Sequence, residues 1–465
     1  MSMKKTFVVS MVAAVLSTSV VSAGSAAPAV KPAATAQVQN STFTINGSTV
    51  VIRSLVKQGE TLVSLRDVLS ATGAQAEIHD GTTTVKLNGH TLVLKSNSKE
   101  ITVDGVKSTL KQPVTNVAGT SYIALRPLVT GLGGTLASRA GVLEISTVPL
   151  LEGAENPRFA GESKLILSKS DEQGRTDYLV DTASGKFELL LTTNGGSDLV
   201  VSPSGDQAAY TDAEGAVYVL DLKNRASRLI TSDASIKPEL VWSADSSAIF
   251  FLQGDKGTVI AKLSLADGSI TKIVEDKVDY KENLSVSNDG KKFVYTVTTL
   301  GTVTSDTTNI DEDNVSIDFS SNQTQIYSYN SEESKPIAVQ LTASSDDKVF
   351  VLSNDGQKAF YVSIPSTDDK AVLLSVDSSQ KAAKVFADYD VEQALLAGGV
   401  LYVLAAQDGN SSVIYSISTM TGKQTKLYTV PADVTSITVA GSQIAIVQDG
   451  VVKVSAGDSW RAVTK

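Results

Sequence analysis

The feature that most limits what this chain can fold into is a unit of about 43 residues that recurs through its second half. The clearest copy, LVVSPSGDQAAYTDAEGAVYVLDLKNRASRLIT at 199–231, reads as a strand, a tight turn of Asp/Ser/Gly type, two further strands, a second turn and a fourth strand. Echoes are LVWSADSSAIFFLQGDKGTVIAKLSLADGSITKIV, LSVSNDGKKFVYTV, VLSNDGQKAFYVS, LLAGGVLYVLAA and ITVAGSQIAIVQDGVVKVSAGDSWRAVT, with a degenerate first copy in RFAGESKLILSKS. Taking Gly161, Gly205, Ser246, Gly290, Gly356, Gly399 and Ser442 as first-turn positions gives intervals of 44, 41, 44, 66, 43 and 43 residues. Small sheets that cannot bury their own faces must stack on one another, so seven units of this length predict a seven-bladed β-propeller over 157–465. The one long interval predicts an insertion in the fourth unit, at about 299–325.

The first third of the chain is doubled in a different way. TLVSLRDVLSATGA (61–74) returns sixty positions later as SYIALRPLVTGLGG (121–134), which pairs Leu65 with Leu125, Arg66 with Arg126 and Gly73 with Gly133. Leu65, Val68 and Leu69, like Leu125, Leu128 and Val129, form the apolar stripe of a short helix. Asp67 and Pro127 suit a first helical turn, and the glycines suit a left-handed stop. Hairpin signals at Asn88-Gly89 and Asp104-Gly105 separate alternating strands. A small α+β domain of hairpins and two short helices follows, with edges near Ser41 and Val148 and a linker at 149–156. The repeated arginines fit paired structural salt bridges, with a carboxylate or phosphate ligand as the alternative.

TLVSLRDVLSATGAQAEI, VDGVKSTLKQPVTNVAGTSYIALRPLVTGLGGTL and the closing strand GVLEIST resemble the copper amine oxidase N-terminal-like (stalk) domain of exported proteins from Gram-positive bacteria, over about 41–148. That resemblance implies an attachment module, since the catalytic copper of that family belongs to another domain. The residues agree: copper of that type needs several imidazoles, and this chain has only His79 and His90, on what should be different strands. The Ser-x-Asp-Gly turns followed by aromatic strands resemble TolB-like and WD40-like propeller repeats, which occur in interaction platforms, peptidase lids and glycan-active enzymes.

The first 23 residues read as a signal peptide, with Lys4 and Lys5 ahead of an apolar run and small residues before Gly24; a Pro/Ala-rich flexible linker follows to residue 40. After residue 23 no stretch has the apolar length of a membrane span. Cysteine is absent, which removes disulfides, thiolate metal ligands, thiol nucleophiles and a lipoprotein anchor. A net charge of −10 disfavours nucleic acid and anionic lipid as partners.

No nucleophile elbow, phosphate loop, zinc-protease helix or dinucleotide fingerprint occurs, and neither histidine lies in the repeats, so catalytic and cofactor-binding residues are expected to be none. Asp306, Asp311, Asp313 and Asp318 in the insertion are candidate calcium ligands, although their spacing fails the EF-hand template. The aspartates and glycines of the repeat turns (Asp245, Asp289, Gly290, Asp355, Gly356) are turn formers before they are ligands. The expected protein is mainly β, a small α+β N-terminal domain followed by a seven-bladed propeller. It is secreted or cell-wall associated and non-catalytic, binding a cell-wall polymer or surface protein. The alternative is a glycan-active enzyme using carboxylates on one propeller face; acids clustered with an aromatic at the funnel would favour it, and a Ser/Thr/Val lining would not.

Overall fold

The computed structural model describes residues 37–139, 141–300, 302–305, 315–318, 322–367 and 369–465. The chain is mainly β, with two helices among the described residues. The N-terminal domain runs β1 (Gln39–Ile45), β2 (Ser48–Lys57), β3 (Glu60–Ser64), α1 (Leu65–Thr72), β4 (Gln75–His79), β5 (Thr82–Leu87) and β6 (His90–Lys95). It continues with β7 (Glu100–Val103), β8 (Val106–Thr109), β9 (Thr115–Val117), β10 (Thr120–Ala124), α2 (Leu125–Gly131), β11 (Thr135–Arg139) and β12 (Val142–Ser146). The strands form a seven-stranded sheet, β11-β12-β1-β2-β3-β10-β9, and a five-stranded sheet, β4 to β8 in chain order.

Why the phrase is written twice is visible in the pairing of β3 with β10. They are antiparallel, with Val63 opposite Ile123, Leu62 opposite Ala124 and Ser64 opposite Tyr122. Val63 and Ile123 are equivalent at the offset of sixty, so a pseudo-twofold axis passes through that pair and each copy hydrogen-bonds to the other. Each strand then turns into its helix, and the helices leave at opposite ends of the pair. Their stripes, Leu65/Val68/Leu69 and Leu125/Leu128/Val129, enter one core with Phe43, Ile52, Val85, Leu92 and Ile145. Each such side chain contributes about 1.5–3 kcal/mol on burial. The duplication is longer than the phrase: the positive-φ turns Gln58-Gly59 and Gly81 recur as Ala118-Gly119 and Gly141.

Among the described residues seven four-stranded antiparallel sheets follow in chain order, six of them built from consecutive strands and the fourth interrupted by a two-stranded insertion. All seven first-turn positions read from the repeat fall between the first and second strands. Gly161, Gly205, Gly290, Gly356 and Gly399 have φ between 67° and 76°, and Ser246 holds the same left-handed conformation at 58°. In the seventh unit Gly441, one residue before Ser442, carries it instead. Antiparallel order puts the 1–2 and 3–4 turns at one edge of every sheet, and the 2–3 turns and links to the next sheet at the other. The fourth sheet, Lys281–Val286, Lys292–Thr299, Gln323–Asn330 and Val339–Gln340, carries the insertion in its 2–3 turn. Within it Thr302–Ser305 pairs with Val315–Asp318 as a hairpin.

The core divides between sheets. Leu190 and Leu220 join sheets one and two, Val219 and Phe251 two and three, and Phe250 and Phe293 three and four. Val294 and Tyr361 join four and five, Phe386 and Leu401 five and six, and Ile414 and Ile446 six and seven. A seventh cluster packs Phe159 and Leu167 of the first sheet against Val452 and Val463 of the last. First strands also touch the first strands of neighbouring sheets, the first sheet's meeting the seventh's. Their unpaired edges are stitched by side chains: Arg158 donates to Leu199 O at 3.3 Å, Trp242 Nε1 to Val200 O at 2.8 Å, and Gln393 both gives to and accepts from the Ile437 backbone. Such groups would otherwise stand as an open sheet edge.

Lysines buried at three junctions were not expected from sequence. Lys237 Nζ donates to Gly215 O, Asp233 O, Asp233 Oδ1 and Ser235 O at 2.8–2.9 Å. Lys281 reaches Thr258 O at 2.8 Å, Asp276 Oδ1 at 2.7 Å and Val278 O. Lys348 reaches Ser344 O at 2.9 Å and Asp346 O at 2.7 Å. Lys237 and Lys281 each tie a 2–3 turn of one sheet to the link entering the next.

The stretches read as linkers are partly ordered. β1 begins at Gln39, and the first repeat sheet begins at Glu155. Leu151 and Ala154 are buried, and Leu151 pairs in parallel with Thr464 on the outer side of the last sheet. The N-terminal domain is fixed there by Glu144 against Arg461 at 2.6 Å. Gly47 also lies against Ala183, in the 3–4 turn of the first sheet, where a Cβ would approach Ala183 Cβ to 2.9 Å.

Candidate functional site

The residues singled out in the doubled phrase serve the fold. Leu65 and Leu125 are core; Gly73 and Gly133 end their helices with φ of 74° and 72°. Arg66 and Arg126 do not form the expected salt bridges: both are exposed, and among the described residues neither makes an ion pair. One position after a buried leucine, each points about 100° away from the core stripe. The ion pair of this region is Arg53 with Asp67, where the guanidinium grips both carboxylate oxygens at 2.8 and 2.6 Å. Its hydrogen bonds pull the Asp67 carboxyl down to about 2.

His79 ends β4 in solvent, and His90 Nδ1 lies 2.8 Å from Asp104 Oδ2 with its ring against Gly133. They share no site, and no cluster of three metal-ligating side chains exists among the described residues. Asp306, Asp311 and Asp313 lie outside the described residues, and Asp318 ends the second strand of the hairpin. Asp245 acts in its turn, accepting from Ser243 and from Ser247 N, bonds that lower its carboxyl to about 2. Trp242 is buried in the core between sheets two and three.

What the structure does bring together is a cleft of about 340 Å³ where the third and fourth sheets meet, at the edge that also carries the inserted hairpin. Glu239, just ahead of the third sheet's first strand, takes the Leu284 N–H between its oxygens at 3.0 and 3.1 Å. Burial raises its carboxyl above the ordinary range, partly opposed by that bond, and the Glu282 charge adds to the rise. Asp255, Glu282 and Asn283 line the same cleft beside Tyr280. Lys256 Nζ stands 5.8 Å from the Tyr280 ring centre and 3.5 Å from Asp279.

The backbone here is held in uncommon conformations. Lys277, Tyr280 and Asn283 have φ of 62°, 61° and 54°, and an aromatic residue in that region is rare. Buried Lys281 anchors the segment from beneath, and Gly257 admits no side chain, because a Cβ would sit 2.5 Å from Lys281 O. The cleft therefore presents carboxylates, an amide and a phenol ring at a rigid rim, a set that accepts hydrogen bonds from hydroxyl, amide or ammonium donors. Half-exposed positions on the first strands include Val200, Val241, Ser285, Ser436 and Thr438, with Arg158, Asn283 and Gln393 among them. Sequence reasoning missed Glu239. The available signal was an acid repeated just before the first-strand leucine, Asp198-Leu199 and Glu239-Leu240.

No curated protein sequence matches the chain. Among solved structures it is similar to TolB from Acinetobacter baumannii, at 16% identity and a TM-score of 0.39 over 77% of this chain and 79% of that one. It is similar to the β-propeller domain of the Trilobed protease from Pyrococcus furiosus, at 14% identity and a TM-score of 0.46 over 67% and 95%. Oligogalacturonate lyase from Vibrio parahaemolyticus matches at 12% identity and a TM-score of 0.45 over 65% and 85%. At the other end of the chain, where the two copies of the phrase pair about their axis, residues 44–144 match the family described as the copper amine oxidase N-terminal domain.

Proposed function

We propose that the seven sheets are the blades of one closed seven-bladed β-propeller, and that the chain is an exported, non-catalytic cell-envelope protein. Its N-terminal domain attaches, and the propeller presents a binding edge to a protein or glycan. The cycle of shared cores supports closure, since the seventh joins the last sheet to the first. One observation carries the functional reading: mount and cleft stand apart. The N-terminal domain meets the 3–4 turn of the first sheet and the outer side of the seventh. The Glu239 cleft opens between the third and fourth sheets at the opposite edge. A rigid mount on one side with loops displayed on the other is what a platform needs.

Co-sedimentation with cell-wall sacculi tests the attachment. The full chain is expected to pellet, and removal of residues 37–148 to abolish pelleting; a chain that pellets equally well without them, or never pellets, overturns the reading. A second reading is favoured by Glu239, whose carboxyl burial raises, standing in one cleft with Glu282 and Tyr280: a glycan-active enzyme that uses carboxylates of this propeller edge. Release of new sugar ends from cell-wall polysaccharide, abolished by Glu239→Gln, would establish that reading and displace the first.

A further inference from the structure

The fourth unit departs from the repeat at both edges, and only one departure is the insertion. Its 3–4 connection, residues 331–338, is eight residues long, against two to six in the other six sheets. Its last strand, Val339–Gln340, is the shortest fourth strand of the set. A shortened outer strand beside a long turn opens a groove of about 620 Å³ between the fourth and fifth sheets, within the range of roughly 300–1,000 Å³ typical of small-molecule sites. Nothing in four-strand geometry requires it, since the other units close with short turns.

We propose that this groove is a binding site for a neutral oligosaccharide. On one wall Tyr329, Ile337 and Val339 make an apolar strip, and Ile337 is left 66% exposed. The Tyr329 ring is held in place by its hydroxyl, which donates to Ile273 O at 3.3 Å. Facing it are the turns of the fifth sheet. Asp355 Oδ1 accepts from Gln357 N and Lys358 N, and Asp377 Oδ1 from Ser379 N, all at 2.8 Å. Asp355 thus meets its own turn through Oδ1, which also accepts from Ser353 Oγ at 3.3 Å, and keeps Oδ2 for an outside donor, while Asp377 is bonded by the Ser379 side chain as well as its N–H.

The Gln357 amide and the Ser378 hydroxyl add neutral donors and acceptors, and Lys358 adds a cation held 5.3 Å from the Phe360 ring centre. Rigid acceptors alternating with donors opposite an apolar strip match a pyranose, whose hydroxyls ring its edge and whose C–H groups cover its face. Asp355, Asp377 and Glu333 outnumber Lys358 and repel phosphates and acidic sugars. The inference goes beyond the proposed function and does not use the Glu239 cleft.

The test is saturation-transfer NMR and calorimetric titration of the full chain with chitotetraose, cellotetraose and mannotetraose. At least one is expected to bind with a Kd of about 1 mM or tighter. Ser378→Trp, which fills the groove from an exposed position without touching a turn bond, should weaken that binding about tenfold or more, and Asp377→Asn about three- to tenfold. Met420→Trp, a bulky change at an exposed turn of the sixth sheet, should leave it unchanged. No binding by any of the three sugars, binding indifferent to Ser378→Trp, or saturation by a peptide instead of a glycan would overturn the proposal. These outcomes are read independently of pelleting with sacculi, so the two proposals fail separately.

Discussion

The two copies of the doubled phrase share a backbone but not the means that hold it. In the first, Ser64 caps α1 by accepting from Asp67 N, Arg53 grips the Asp67 carboxylate, and Gly73 has open space where a Cβ would go. In the second, Ala124 gives no side-chain cap. At the same offset of sixty, Arg53 and Asp67 both become proline, Pro113 and Pro127. There the helix end is fixed by packing: His90 lies so close to Gly133 that a Cβ would meet its ring at 2.4 Å, and a Cβ on Gly134 would sit 2.7 Å from Ser146 O. One copy is fastened by polar contacts at its start, the other by steric contacts at its end. Repetition in this domain preserves pattern and dihedral angles, while side-chain fastening is free to diverge.

The largest effects should come from the glycines. Gly133→Ala combines a positive φ with the collision against His90, whose ring Asp104 holds, and should destabilise the domain by about 3 kcal/mol. Gly73→Ala meets nothing within 4 Å and should cost only the left-handed strain, about 1 kcal/mol. Both tryptophans lie in the four-stranded sheets, outside this domain, so the readout is amide hydrogen exchange in peptides covering α1 and α2. Equal losses would show that His90 yields easily, and that the two ends are fastened alike.

The polar fastening of the first copy should depend on pH and the second should not. Asp67 has a folded pKa of about 2, against about 3.9 when unfolded. A depressed folded value means stability that is present above the unfolded pKa and lost as pH falls through the folded one. With the pair partly exposed, solvent screening holds its contribution to about 1 kcal/mol. Asp67→Asn should therefore exchange faster than the parent at pH 7, with the gap closing as pH approaches 2. A gap that persists there would mean the carboxylate acts through shape rather than charge.

Features that depend on period were legible in the sequence; features that depend on a distant partner were not. The seven first turns could be placed because turn chemistry is local, and Ser246 shows the limit, since a serine keeps the left-handed φ that glycine holds in five other units. Leu65 and Leu125 could be assigned to the core from spacing alone. Arg66 and Arg126 were misjudged because a repeated charge carries no direction, and Asp67 pairs instead with an arginine fourteen positions earlier. Glu239 finds its partner 45 positions on, in the next sheet. Lys281 looks like an ordinary strand lysine until the Thr258 carbonyl, 23 positions back, is placed under it. The groove beside Tyr329 is set by the length of a turn, which marks a departure from the repeat without saying what fills it.

The smallest predicted effect is the sharpest test of why the copies diverged. Ser64→Ala should cost about 1 kcal/mol, as the loss of a side-chain cap usually does. The converse change, Ala124→Ser, should not return that amount. The cap of α1 works because Asp67 has an N–H for Ser64 to accept. The equivalent position in α2 is Pro127, which has none, and Ala124 is 1% exposed, so a hydroxyl there would be buried without that donor. Ala124→Ser alone should be neutral or destabilising by up to about 1 kcal/mol. Combined with Pro127→Asp, which restores the N–H, it should become favourable, with a coupling of about 1 kcal/mol between the two changes. If Ala124→Ser stabilises without the second change, the proline is not what removed the cap, and the copies diverged first at the serine.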